Sequence, residues 1–265
     1  MSDASLGATP NPGSAAPAIA LRGLTKRFGA TLAVDAIDLD IPSGSFYGMV
    51  GPNGAGKTTT LSMATGLLTP DAGTALIHGV DLWAAPDAAK RMMGVLPDGL
   101  YSFDRLTGAE LISYAGLLRG LDRDTVLERR DDLLAALDLE AAGRTLVTDY
   151  SAGMTKKVAL ACALVHAPRV LVLDEPFEAV DPVSAGAIRR ILTSFVESGG
   201  TVVMSSHVMA LVERLCDRVA VVGAGRILAE GTLDDVRDGR ELEERFVELV
   251  GDVTDQRDLA WLRQS

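Results

Sequence analysis

The chain has no surplus of positive charge. Its 265 residues include 25 Lys and Arg against 36 Asp and Glu, a formal charge of −11, which excludes holding nucleic acid by bulk charge and leaves room only for a local basic patch. Aromatic residues make up 5%, too few for base-stacking platforms as the main surface. No nucleic-acid partner is expected. Two cysteines, Cys162 and Cys216, exclude a disulfide framework by count and read as reduced, buried thiols in apolar helical stretches. Long apolar runs are missing as well. The uncharged stretch Ala4 to Leu21 is broken by Pro10, Pro12 and Pro17 and lacks both the basic start of a signal peptide and the sustained core of a membrane span. Residues 1–17 read as a disordered leader, and the sequence predicts a soluble, cytoplasmic chain that meets a membrane only through a partner.

What is present is apolar material, 48% of the chain, enough for one large domain or two small ones. Strands are predicted at Ile19–Leu24, Ala33–Ile41, Phe46–Val50, Thr74–Ile77, Met93–Leu96, Val170–Leu173, Thr201–Ser205, Arg218–Val222 and Arg226–Ala229. The run Val170-Leu171-Val172-Leu173 has no polar alternation, as expected of a parallel strand covered on both faces. Helical patterns fill Lys57–Leu68, Ala84–Met92, Gly108–Leu118, Asp124–Leu137, Ser151–His166, Val183–Glu197 and Met209–Cys216. The expected class is α/β, with a helical subdomain inserted between about residues 100 and 165. Leu242, Phe246, Leu249 and Val250 recur at helical spacing, which predicts a docked C-terminal helix within an extension over 234–265.

Gly51-Pro52-Asn53-Gly54-Ala55-Gly56-Lys57-Thr58 fits G-x-x-x-x-G-K-[ST], follows an apolar strand and opens a helix, the context a phosphate-binding loop requires. Glycines there let backbone N–H groups converge on phosphate oxygens, and the helix N-terminus adds a favourable dipole. Lys57 suits the β- and γ-phosphates, the Thr58 hydroxyl suits Mg²⁺, and Thr59 follows in the same turn. A second metal-holding carboxylate is needed, and the strand Val170–Leu173 ends in Asp174 and Glu175: Asp174 for Mg²⁺, and Glu175 for orienting or deprotonating an attacking water.

Together these residues resemble the ATP-binding cassette family, over Ala18 to about Leu233. That likeness implies a P-loop NTPase with a mainly parallel core sheet, an N-terminal antiparallel β-subdomain and an ATPase domain over 18–233. It also implies roles for further residues. Tyr150-Ser151-Ala152-Gly153-Met154 is similar to the family's signature sequence, in which the Ser151 hydroxyl and Gly153 amide meet the γ-phosphate of ATP held by an opposite subunit. His207 falls at the family's switch histidine, and Asp181 in its D-loop, coupling the two half-sites. Phe28 matches the aromatic that stacks on adenine, with a core phenylalanine as the rival. His78 and His166 match no motif.

Two positions depart from the family pattern. Where a glutamine commonly follows the strand before the helical subdomain, this chain has Asp98, which can ligate Mg²⁺ but cannot donate a hydrogen bond when ionised. Ala152 replaces the first signature glycine, with Met154, Lys156 and Lys157 beyond. This form resembles bacterial cassettes that pair with separately encoded ABC-2-type permeases, mostly exporters. The expected function is therefore an ATP-hydrolysing subunit that dimerises with itself or a related chain, binds ATP and Mg²⁺, and drives a membrane permease from the inner face of the membrane. The rivals are a soluble cassette ATPase of DNA repair, translation or cofactor assembly, which would carry a long coiled coil or a second cassette, and a P-loop kinase, which would lack Ser151 and His207 in these settings.

Overall fold

The structure is a computed structural model that describes residues 16–99 and 105–251. The chain opens with β1 (Ile19–Phe28), β2 (Thr31–Ile41) and β3 (Phe46–Val50), followed by α1 (Lys57–Ala64), β4 (Ala72–Ile77), β5 (Val80–Asp81), α2 (Pro86–Arg91) and β6 (Met93–Leu96). Three helices then run without an intervening strand: α3 (Gly108–Leu118), α4 (Arg123–Ala136) and, after a 3₁₀ turn at Val147–Asp149, α5 (Ala152–Leu164). Alternation resumes with β7 (Val170–Leu173), α6 (Pro182–Glu197), β8 (Thr201–Ser206), α7 (Met209–Leu215), β9 (Arg218–Gly223) and β10 (Arg226–Thr232). It ends in α8 (Leu233–Arg237) and α9 (Leu242–Val250).

Two sheets result. One is antiparallel, in the order β2-β1-β4-β5. The other has the order β10-β9-β3-β8-β7-β6, parallel except for β10 at its edge. Every residue of β3, β7 and β8 is buried, as the apolar runs predict for strands covered on both faces. The period of two then divides each strand between two cores. Phe46 and Val50, Leu171 and Leu173, and Val202 and Met204 face one cluster, which takes in Ile112, Val158, Leu160, Ile188, Val212 and Leu242 from the later helices. Tyr47 and Met49, Val170 and Val172, and Val203 face the other, with Leu61 and Met63 of α1 and the inner side of the antiparallel sheet.

The helices sit close to the sheet. A Cβ on Gly94 of β6 would stand 2.1 Å from the Ala163 carbonyl oxygen of α5 and 2.7 Å from Leu171 Cδ2, so strand and helix meet backbone to backbone there. Gly94→Ala should therefore destabilise the fold by about 3 kcal/mol, since overpacking at a rigid backbone contact has no soft side chain to yield. A drop in the urea midpoint at unchanged slope checks this.

Element ends differ from expectation where a local backbone rule overrides apolar pattern. The first helix was expected to reach Leu68 but ends at Ala64, because Gly66 takes a left-handed φ of 74° that terminates it. β1 runs four residues past Leu24, closing a tight hairpin in which Phe28 pairs with Thr31 around Gly29 at φ 58°. The short elements β5 and α8 were not expected. The C-terminal helix is present: Leu242 is fully buried and Phe246, Leu249 and Val250 pack on the core. The leader up to residue 15 and the start of the expected helical insertion at Leu100 lie outside the described residues.

Candidate nucleotide site

The site forms at the C-terminal ends of the central strands, where a parallel sheet leaves a crevice. Val50 at the end of β3 lies in register with Ser206 of β8, and Leu173 of β7 with Met204. Three loops therefore leave the sheet side by side: 51–56, the one after Leu173, and the one after Ser206.

The first loop wraps back into α1. Gly54 and Gly56 adopt φ of 80° and 105°, a region side chains disfavour. A Cβ on Gly56 would lie 2.6 Å from the Ala33 carbonyl oxygen, and one on Gly51 2.5 Å from that of Val222. Gly56 caps α1 without any side-chain hydrogen bond, and the first turn holds no acidic residue, so the first N–H groups and the dipole of the helix face the cleft without a cap of their own. Lys57 is 6% exposed and its Nζ donates to the carbonyl oxygens of Gly51 at 2.7 Å and Pro52 at 3.2 Å. Burial lowers its pKa, and the carboxylates of Glu175 and Asp174 oppose that shift.

Asp174 is 5% exposed. It accepts a hydrogen bond from Ser205 Oγ, which in turn accepts from the Glu175 backbone N–H at 2.9 Å. Glu175 itself sits at a left-handed φ of 47°. Its Oε1 lies 3.0 Å from His207 Nδ1, and its carbonyl oxygen accepts from Lys156 Nζ at 3.0 Å.

A cleft of about 540 Å³ opens here, with Phe28, Ala33, residues 53–59, Asp98, Glu175, Glu178 and His207 on its walls. Phe28 is 52% exposed, which removes the core reading, and Lys26 Nζ lies 5.9 Å from its ring centroid. Of the residues picked from sequence, the cleft brings together Phe28, residues 53–59, Asp98, Glu175 and His207, while Gly51 and Pro52 hold the Lys57 ammonium and the buried Asp174 acts on Lys57 by its charge. The structure does not bring Ser151, Gly153 or Asp181 to that cleft. Ser151 caps α5, accepting from the Met154 N–H at 3.2 Å, and is exposed together with Ala152. Asp181 caps α6, accepting from the Val183 and Ser184 N–H groups at 3.0 Å, and those bonds, Ser184 foremost, hold its carboxyl below the usual range. Gly153 packs beneath it: an added Cβ would meet Asp181 Oδ2 and Ser184 Oγ at 2.7 Å.

His166 is used structurally. Its Nε2 is 2.8 Å from the Met93 carbonyl oxygen, and burial, with Arg119 nearby, pushes its pKa down to about 4. His78 stands away from the cleft as well. Ser205, Lys156 and Glu178 were missed from sequence. The signals were slight: Ser205 is a polar residue near the end of a buried strand that also holds Thr201 and Ser206, and Lys156 stands only as a departure from the signature pattern.

A strand, a glycine loop and an uncapped helix around a buried lysine, with two acids following a parallel strand one place removed in the same sheet, define the class of P-loop nucleoside triphosphatases. The family model for the ABC transporter matches residues 34–178. The daunorubicin/doxorubicin resistance ATP-binding protein of Streptomyces peucetius is 37% identical over 220 residues, which are 83% of this chain and 67% of that protein. The Nod factor export ATP-binding protein I of Cupriavidus metallidurans is 36% identical over 236 residues, 88% of this chain and 76% of that relative. A solved structure described as the ATP binding subunit of an ABC transporter superposes with a TM-score of 0.82 at 29% identity, covering 88% of this chain and 99% of the other. The chain belongs to the ABC transporter family, as an ATP-binding and ATP-hydrolysing subunit. No helix among the described residues is long and apolar enough to cross a membrane.

Proposed function

We propose that this chain works as one of two cassettes that sandwich ATP and drive a separately encoded ABC-2-type permease at the inner face of the membrane, in the direction of export. Export is supported by relatives named for drug resistance and for Nod factor export. We assign residues 18–233 to the ATPase domain, with α3 to α5 as its helical subdomain, and α9 to a C-terminal extension beyond it.

The observation that carries the sandwich is the separation within the site. The cleft has cationic and N–H groups on the side of the loop 51–59, while Ser151 and Gly153, at a second helix N-terminus, lie outside it. One chain thus offers a nucleotide seat and, elsewhere, an outward-facing helix end suited to a phosphate. In a two-fold pair each helix end would close the other chain's seat.

Within each seat, Phe28 stacks the base, the N–H groups of residues 51–59 and the Lys57 ammonium take the β- and γ-phosphates, and Glu175 orients and deprotonates the attacking water. His207 holds the Glu175 carboxylate and reaches the γ-phosphate, and the second chain's Ser151 and Gly153 supply donors from the opposite side. Asp181 ties the signature helix to α6. The oxygens of Thr58, Asp174 and Asp98 are hard donors of the kind Mg²⁺ selects, and they stand at or beside the phosphate end of the cleft, so the residues fit the ion. When bound, Mg²⁺ neutralises charge that builds on the phosphoryl oxygens. Asp98 adds a full carboxylate where an amide is usual. Replacing Asp98 by Gln should therefore raise the Mg²⁺ concentration for half-maximal turnover, by about tenfold for a lost charged ligand; an unchanged requirement counts against Asp98 as a ligand. Partner identity is tested by co-purification: a membrane protein of about six spans, each ~20 residues long, should be retained by the tagged chain from detergent extracts.

A further inference from the structure

Glu175 is gripped at three points. Ser205 holds its N–H and His207 its carboxylate, both from the end of β8, but its carbonyl oxygen is held from a different layer, by Lys156 of α5 at 3.0 Å. Lys156 lies three residues beyond Gly153, on the same face of the helix, and Gly153 packs against Asp181 and Ser184. The first turns of α5 therefore touch both ends of the segment 175–184, Lys156 at one and Gly153 at the other. That segment is not in a conformation its residues prefer: Glu175 and Ala179 take φ of 47° and 56°, and such residues persist only where contacts over-determine them. The recess beside Lys156, about 350 Å³, is lined also by Asp98 and Glu178. The hydrogen bond of the ammonium goes to the Glu175 carbonyl.

We propose that Lys156 is a positioning residue that couples the outward end of α5, where a second copy's ATP would bind, to the orientation of Glu175 in its own chain. A shift of the Ser151 end of α5 on ATP contact moves Lys156 with it, and the hydrogen bond turns the peptide unit that carries Glu175. Filling one seat thereby sets the base of the other. Since this coupling presupposes Glu175 as the water-orienting base and a two-chain sandwich, the Glu175→Gln variant is assayed alongside.

The test uses the full chain with Lys156→Met and Lys156→Arg. In Lys156→Met, kcat should fall by about tenfold, the size expected from a small misplacement of a catalytic group, while the ATP concentration for half-maximal dimerisation by light scattering moves less than about twofold. Lys156→Arg, which keeps a donor and the charge, should recover most of the rate. Without nucleotide, hydrogen exchange of amides 176–180 should speed up in Lys156→Met, with the rest of α5 unchanged. A Lys156→Met enzyme with normal kcat and normal exchange overturns the role. So does a loss of rate in step with dimerisation that Arg does not rescue, which would mark a merely structural residue. If Glu175→Gln itself turns over normally, the underlying assignment of Glu175 fails; if it is inactive while Lys156→Met is normal, only the coupling fails.

Discussion

Replacing Glu175 by Gln should cut steady-state ATP turnover by on the order of 10³-fold, the loss expected when a general base is removed, while ATP binding survives. The amide has almost the shape of the carboxylate and can still meet His207 Nδ1, 3.0 Å away in the native chain. The backbone contacts to Ser205 and Lys156 do not involve the side chain at all. What disappears is the negative charge that orients and deprotonates water. The ATP-bound pair should then accumulate, because its chemical exit is closed. Equilibrium binding of a labelled ATP analogue, rapid-quench turnover and light scattering on one preparation check the three parts. Near-normal turnover would remove Glu175 from the catalytic role.

Lys57→Ala should have a different signature. Its ammonium is the cation at the centre of the loop, buried and bonded to two carbonyl oxygens of that loop. Those carbonyls are weak partners for an ammonium compared with phosphate oxygens, so the side chain is poised to exchange them for a ligand. Removing it should weaken ATP binding by about 10- to 100-fold, as for one or two lost charge-assisted hydrogen bonds, and turnover should fall at least as far. Dimerisation at ATP concentrations that saturate the native chain should vanish, whereas in Glu175→Gln it is enhanced. Calorimetric titration with ATP separates the two variants directly.

The difference between those variants follows from which parts of the site the sequence could reveal. The glycine loop was legible because its residue types are forced: at φ of 80° and 105°, and with carbonyl oxygens 2.6 Å or less from any added Cβ on Gly56 or Gly51, only glycine fits. Asp174 and Glu175 were legible because they end a fully apolar strand. Ser205 was not, since its meaning depends on β8 lying between β3 and β7 in the sheet, and strand order is a long-range property. Lys156 was visible only as a departure from a pattern; its bond to the Glu175 carbonyl arises from the angle at which α5 packs. The helix after the glycine loop was read too long because Leu67 and Leu68 continue the apolar pattern while Gly66 breaks the backbone. In each miss a local signal gave way to a tertiary contact or to a single dihedral.

The central claim is that each nucleotide seat is completed by a second chain, and a mixed cross-link tests it most directly. One chain carries Asn53→Cys and the other, distinguished by a size tag, Ser151→Cys, both in the Glu175→Gln background. The native thiols are poor competitors at pH 8: Cys216 is buried and Cys162 half-buried, and burial pushes the Cys162 thiol up to about 12 and raises that of Cys216 as well, which disfavours the reactive thiolate in both. With ATP and Mg²⁺ present, a short thiol cross-linker should yield a covalent species with the summed mass of the two different chains, and the yield should collapse without ATP. A yield unaffected by ATP, or no species containing both chains, would contradict the account.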